Sequence, residues 1–149
     1  MGTIKEQNHF DSLFRKPYRS YVEWLYERLA ATDFPEIRMT HNAVFRLIER
    51  KGSRVTDLAE HASMTKQSMA YLVEDLVTSG YVMTMSDPTD GRAKLVVLTK
   101  KGSNLMTAAR RLGHAYERHI ATLLGTEKAY ELRNLLETLN DALEHNPTP

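Results

Sequence analysis

RVTDLAEHASM, TKQSMAYLVEDLVTSG and YVMTMSDPTDGRAKLVVLTKKG are three consecutive pieces of the stretch Arg54–Gly102, and their order decides the fold. In the first, Thr56 is an N-cap residue type, and Leu58, Ala59 and Ala62 leave a short helix one apolar stripe. Ser63 and Met64 make a turn. Thr65 caps a second helix in which Met69, Leu72, Val73 and Leu76 recur at i, i+3, i+4 and i+7, a single core-facing side. Gly80 stands where a glycine stops a helix in the left-handed conformation. Tyr81–Met85 and Lys94–Leu98 are strand-like, rich in β-branched side chains. Asp87-Pro88 starts the turn between them, and Gly91 of Asp90-Gly91 is assigned the positive-φ tip. Two short helices, a tight turn and a β-ribbon make a winged helix-turn-helix.

Such a unit places the start of its second helix in a major groove. Here that start carries Thr65, Lys66, Gln67, Ser68, Ala70 and Tyr71 away from the core stripe. Gln pairs with adenine edges, Lys donates to guanine, and Ser or Thr serves either. Glu74 and Asp75 fall later, where the helix leaves the DNA. On the ribbon, Arg92 suits a narrow minor groove and Lys94 a phosphate; Asp90 is expected to hold the Arg92 side chain in a bidentate pair. Arg54, at the entry to the first helix, completes the expected DNA contacts. A solvated helix start and an ordinary surface hairpin would show the same residues, and it is the ribbon directly after the two helices that favours DNA.

The flanking segments are helical. Phe10, Leu13, Phe14, Pro17, Tyr18, Tyr21, Val22, Leu25 and Leu29 follow helical spacing, with Pro17 implying a start or a kink nearby. Thr32-Asp33-Phe34-Pro35 breaks that helix. Thr40 is expected to cap the next, with Ala43, Val44, Leu47 and Ile48 inward and Gly52 at its end, and Ser53-Arg54-Val55 reads as a short strand against the ribbon. After the ribbon, Thr99 caps a helix of about 25 residues, roughly 38 Å long. Gly125 breaks it, and Thr126 caps a last helix bearing Leu132, Leu135, Leu136, Leu139 and Leu143. Residues 1–9 and the Asn146–Pro149 tail read as loose. The fold class is mainly α with a small β-wing, divided into a dimerisation helix (1–34), a winged helix-turn-helix (35–102) and dimerisation helices (103–149). The terminal helices carry apolar faces that one copy cannot cover, so an intertwined homodimer is expected.

Composition narrows the function classes. The 149 residues suit about one domain and include no cysteine, which excludes disulfides, thiolate metal sites and thiol redox sensing. Twenty basic and nineteen acidic residues leave a net charge of +1, but residues 35–102 hold ten basic against eight acidic, so any attraction for DNA is local. No run approaches a membrane span and no signal-peptide pattern opens the chain, so a cytoplasmic location is expected. His114 and His119, of the six histidines, are five apart and miss the i, i+4 spacing of helical zinc pairs. No phosphate loop, nucleophile elbow or carboxylate pair suggests an enzyme, and no motif asks for a cofactor or metal.

Asp87-Pro88-Thr89-Asp90-Gly91-Arg92 followed by Leu98-Thr99-Lys100-Lys101-Gly102 resembles the wing signature of the MarR (multiple antibiotic resistance regulator) family. Leu58-Ala59-Glu60-His61-Ala62, Leu72-Val73-Glu74-Asp75-Leu76 and Gly80-Tyr81-Val82 match the same pattern in order. The resemblance covers almost the whole chain. It implies a homodimeric winged-helix transcription factor, a ligand-responsive repressor of a pseudo-palindromic operator. The chain departs from the family at Gly91 and Thr84, where many members carry arginine. Family members commonly bind small aromatic acids or phenols between dimerisation helices and winged helix; here Arg15, Tyr21, Trp24, His41 and Phe45 are the expected ligand-binding residues, with Arg15 or His41 pairing an anion. Two alternatives stay open: a winged-helix protein-interaction module without DNA binding, motivated by the low charge, and a histidine-based metal-responsive regulator.

Overall fold

The computed structural model describes residues 9–145; the expectations for residues 1–8 and for the 146–149 tail lie outside them. The elements are α1 (Phe10–Ala30), a 3-10 turn (Met39–His41), α2 (Asn42–Phe45), α3 (Val55–His61), α4 (Lys66–Thr78), β1 (Val82–Asp87), β2 (Asp90–Leu98), α5 (Lys100–Leu124) and α6 (Thr126–His145). The strands form a two-stranded antiparallel sheet in which Val82 faces Leu98 and Thr84 faces Val96. Contacts divide the chain into two compact units, one up to Ala109 and one from Arg110 onward.

The first unit is built around the winged helix. All four stripe residues of α4, Met69, Leu72, Val73 and Leu76, are buried, with Leu58 and Ala59 of α3, Val44 and Phe45 of α2, and Val82 and Val96 of the sheet. Tyr81 is the hub. Its ring lies 6.2 Å from Phe34 and 6.3 Å from Phe45, Lys101 Nζ sits 4.2 Å above it, and its hydroxyl donates to Glu36 Oε2 at 2.7 Å. Burial first, then the Glu36 carboxylate, pushes the Tyr81 phenol up from its ordinary value, so it stays a donor. The same residue explains the Leu98–Gly102 motif. Thr99 Oγ1 donates to the Gly80 carbonyl at 2.6 Å and accepts from the Gly102 N–H at 3.1 Å, capping α5. A Cβ on Gly102 would stand 2.1 Å from the Tyr81 carbonyl oxygen, so only glycine lets α5 start against the backbone just before β1.

Several boundaries differ from expectation. The first helix of the reading unit starts at Val55 rather than after Thr56, with Arg54 in the N-cap position and no side-chain cap. The helix expected from Thr40 to Gly52 is only the 3-10 turn plus α2. The Glu49 N–H donates to Ser53 Oγ at 2.9 Å, and the Leu47 N–H closes a tight turn on Val44, so the chain leaves the helical path. Ser53 makes a single antiparallel bridge with Val96 rather than a strand. Pro17 lies within an uninterrupted α1, whose buried residues are Val22, Leu25, Tyr26 and Leu29; Phe10, Leu13, Phe14 and Tyr18 of the expected stripe are exposed.

In the second unit, Gly125 (φ +85°) separates the end of α5 from α6, where Thr126 is the first helical residue rather than the cap. Arg133 of α6 pairs with Glu117 of α5 and, at 2.8 Å, with Glu137 one turn on. No residue of α6 is buried, and Leu132, Leu135, Leu136, Leu139 and Leu143 are all exposed.

Candidate nucleic-acid interface

The reading surface starts from how α4 is seated. Thr65 Oγ1 accepts from the Ser68 N–H at 3.1 Å and donates to Ser68 Oγ at 2.8 Å, so the expected cap forms and occupies part of both side chains. With the core stripe on the opposite side, Lys66, Gln67, Ala70 and Tyr71 are exposed on α4. Tyr71 is 68 % exposed, unusual for a large aromatic side chain beside a packed core. The turn before α4 brings Ser63 to φ 52° and returns the Met64 N–H to the Ala59 carbonyl at 2.9 Å.

The wing is fastened at its root. Asp87 is buried, and Arg54 reaches its Oδ2 with Nε at 2.9 Å and Nη2 at 2.6 Å. Asp87 Oδ1 accepts from both the N–H and the hydroxyl of Thr89, at 2.8 and 2.7 Å. These Thr89 bonds first, then Arg54, bring the Asp87 carboxyl down to about 2. They also set the tip. Pro88 and Thr89 form the turn, Asp87 faces Asp90, and Gly91 lies within β2 without positive φ, contrary to its expected role. Asp90 Oδ1 accepts from the Arg92 backbone N–H at 3.1 Å and its Oδ2 lies 3.7 Å from Arg54. Among the described residues no ion pair joins Asp90 to the Arg92 guanidinium, so the expected bidentate pair is replaced by a backbone bond. Arg92 and Lys94 are both exposed on β2. Arg54 ties the helix entry to the wing, a role its position in the sequence did not reveal; the Asp87-x-Thr89 spacing, which suits a side-chain turn, was the available signal.

The five expected ligand residues do not form one cluster. Arg15 is exposed and pairs with Asp11 at 3.2 Å, nine residues and roughly 13 Å along α1 from Trp24. Trp24 and Tyr21 are half-buried, and Arg28 lies 4.2 Å over the Trp24 ring. Phe45 is a core residue against Tyr81. His41, 1 % exposed, is committed to a polar strut. Its Nδ1 accepts from the Arg38 N–H at 3.1 Å, which leaves Nε2 to donate to Asp75 Oδ2 at 2.8 Å; the Arg38 guanidinium pairs with the same oxygen. Burial, outweighing Asp75, holds the His41 imidazole below its ordinary range, and the His41 bond holds the Asp75 carboxyl below its own. The strut ties the 3-10 turn to the later half of α4, so His41 and Asp75, 34 residues apart, help orient α4. Among the described residues no three His, Cys, Asp or Glu side chains gather in a way that could hold a metal ion.

Residues 42–102 match the family of winged helix DNA-binding domains, the segment that contains α3, α4 and the wing. The transcriptional regulator HosA of Escherichia coli O111:H- is 27 % identical over 110 residues, covering 72 % of this chain and 82 % of HosA. Streptococcus pneumoniae FabT, solved in complex with DNA, shares the fold with a TM-score of 0.68 at 16 % identity, over 91 % of this chain and 95 % of FabT. CouR of Rhodococcus jostii RHA1, solved bound to p-coumaroyl-CoA, also gives a TM-score of 0.68, at 19 % identity over 99 % of each chain. The α3–α4 pair and the wing thus resemble a winged helix DNA-binding domain in both sequence and fold. A MarR-family transcription regulator is among the solved structures that share this fold. No helix among the described residues is long and apolar enough to cross a membrane.

Proposed function

We propose that the chain acts as a homodimeric, ligand-responsive repressor of a pseudo-palindromic operator. The observation that carries this reading is the contrast between α4, whose apolar stripe is buried, and α6, whose leucines are all exposed. A helix with an uncovered leucine face calls for a partner, and a second copy supplies the identical face. Two copies then present two α4 helices to successive major grooves about one turn, or roughly 34 Å, apart. Lys66 and Gln67 read base edges, Thr65, Ser68 and Tyr71 line the same approach, Arg92 enters a minor groove, and Lys94 contacts phosphate. Arg54 and Asp90 hold the wing in place.

Effector response is supported by CouR, solved with an aromatic acyl thioester bound. A small aromatic or phenolic effector loosens DNA in this reading by favouring a dimer with differently spaced reading helices. Tyr21 and Trp24, half-buried on α1, and Arg15, exposed and paired with Asp11, are the proposed ligand side chains nearest the surface, with His41 and Phe45 buried behind.

Footprinting on DNA upstream of the gene tests the reading. Two-fold symmetric protection that weakens steeply with added salt is expected, because released counterions set the slope. Unsymmetrical protection, or none at low salt, contradicts it. The salt dependence also separates DNA reading from protein docking by the same surface.

A further inference from the structure

The outer flank of α4 carries an apolar depression lined by Thr40, Met64, Gln67, Ser68, Tyr71 and Leu72. Its composition is unlike the rest of a surface meant for phosphates, since no charged side chain lines it. Leu72, 9 % exposed, belongs to the core stripe as well as to this hollow. Tyr71, 68 % exposed, stands beside it on α4. Met64 comes from the turn before α4 and Thr40 from the 3-10 turn, which the His41–Asp75 bond ties to α4 at 2.8 Å. The Ser68 oxygen accepts from the Thr65 hydroxyl at 2.8 Å, which fixes that side chain at the rim of the hollow. Gln67, also a lining residue, carries the amide best suited to an adenine edge.

We propose that this depression takes the 5-methyl group of a thymine, beside the base pair read by Gln67. The inference rests on the DNA-reading assignment proposed above and narrows it to a sequence feature. In the major groove the thymine methyl is the apolar group that base edges present, and it is recognised by apolar contact rather than by hydrogen bonding. An uncharged hollow next to a glutamine, on the helix that enters the groove, matches an A·T-rich step. It would reject cytosine at the thymine position, because cytosine brings an amino donor and no methyl. Met64 and Tyr71 are then specificity-determining residues, and Thr40 adds a methyl from outside the reading helix.

The test uses the full chain and duplexes it selects from a random-sequence pool at fixed salt. Each thymine of the selected sequence is replaced in turn by deoxyuridine, which removes the methyl and keeps every hydrogen-bonding group. One position per half-site should lose about fourfold in affinity, the worth of one buried methyl. In Met64→Ala and Tyr71→Ala, checked for unchanged thermal stability, that loss should shrink towards nothing while the remaining positions behave as in the wild type. Selected sequences whose thymines all tolerate deoxyuridine overturn the inference and leave DNA reading intact. So does a methyl effect of unchanged size in both variants, which places the methyl elsewhere. A pool that yields no preferred sequence removes the DNA-reading assignment itself, and this inference with it.

Discussion

Helices α4 and α6 are both amphipathic, yet only one satisfies its apolar face within its own chain. Met69, Leu72, Val73 and Leu76 of α4 are buried against α3, α2 and the sheet, while the leucines of α6 stand exposed. The same periodicity therefore means two things. In the winged helix it encodes a self-contained core, and in α6 a face that the described chain leaves exposed, the one proposed to take a second copy. Each helix also leaves a second face in water: on α4 the polar residues proposed to read DNA, on α6 charged residues such as Arg133 and Glu137.

The largest effects should come from the self-contained side. Leu76→Ala, at a fully buried position, should cost about 2–5 kcal/mol of unfolding free energy. That loss should not depend on protein concentration. The wild type's apparent stability should rise with concentration, because mass action links assembly to folding. Replacing exposed α6 leucines with aspartate should remove that dependence, a loss that grows with concentration. A concentration-dependent loss for Leu76→Ala, or an α6 pair without one, would erase the distinction.

Next in size is the strut on the far half of α4. His41→Ala leaves the Arg38 N–H without its acceptor and Asp75 with only the Arg38 guanidinium, and should cost about 2 kcal/mol. Its pH dependence has a definite sign. The folded-state value of His41 lies below the ordinary one, so the neutral imidazole contributes fully at and above neutral pH. The contribution is lost as pH falls below about 6.5, where the unfolded chain takes up the proton first. Chemical denaturation of wild type and His41→Ala should therefore converge as pH drops from 7 towards 5; a gap that widens would contradict the neutral strut. Asp87 behaves as a depressed carboxylate: its clamp on Arg54 and Thr89 holds above about pH 4 and fails only as pH falls towards about 2. Wing-dependent binding should thus be insensitive to Asp87 in the neutral range.

Much of the winged helix could be read from the residues themselves. The α4 stripe, the Thr65 cap and the Gly80 stop depend on contacts within one or two turns, and local spacing records them. The 25-residue α5 followed the same logic, with a cap at Thr99 and a break at Gly125. What escaped depends on partners far along the chain or on competition between turns. The helix expected to reach Gly52 stops at Phe45 because Ser53 captures the Glu49 N–H. The tip moved from Gly91 to Pro88-Thr89 because Asp87 binds Thr89. The His41 bond to Asp75, 34 residues away, is announced by nothing in the neighbouring sequence. The Arg54 clamp on Asp87 was out of reach for the same reason, since the two are 33 residues apart.

Smaller effects test the outward face of the winged helix. Gln67→Ala should relax discrimination at one base position by about 1–3 kcal/mol, measured by competition with single-base variants. A uniform loss over all sequences would make Gln67 a backbone contact. Arg92→Ala should weaken binding more than Lys94→Ala, since a minor-groove guanidinium contributes more than one exposed phosphate contact. Equal losses would count against placing Arg92 in the groove.

The central claim is that α6 carries an assembly surface and α4 does not. Light scattering coupled to size exclusion tests it most directly. The wild type should give a mass of about 34 kDa, twice the 17.1 kDa of one chain. Leu136→Asp combined with Leu139→Asp should fall towards the single-chain mass, and Gln67→Ala should leave the dimer unchanged. A wild type that remains at the single-chain mass at concentrations where it still protects its operator would contradict the account.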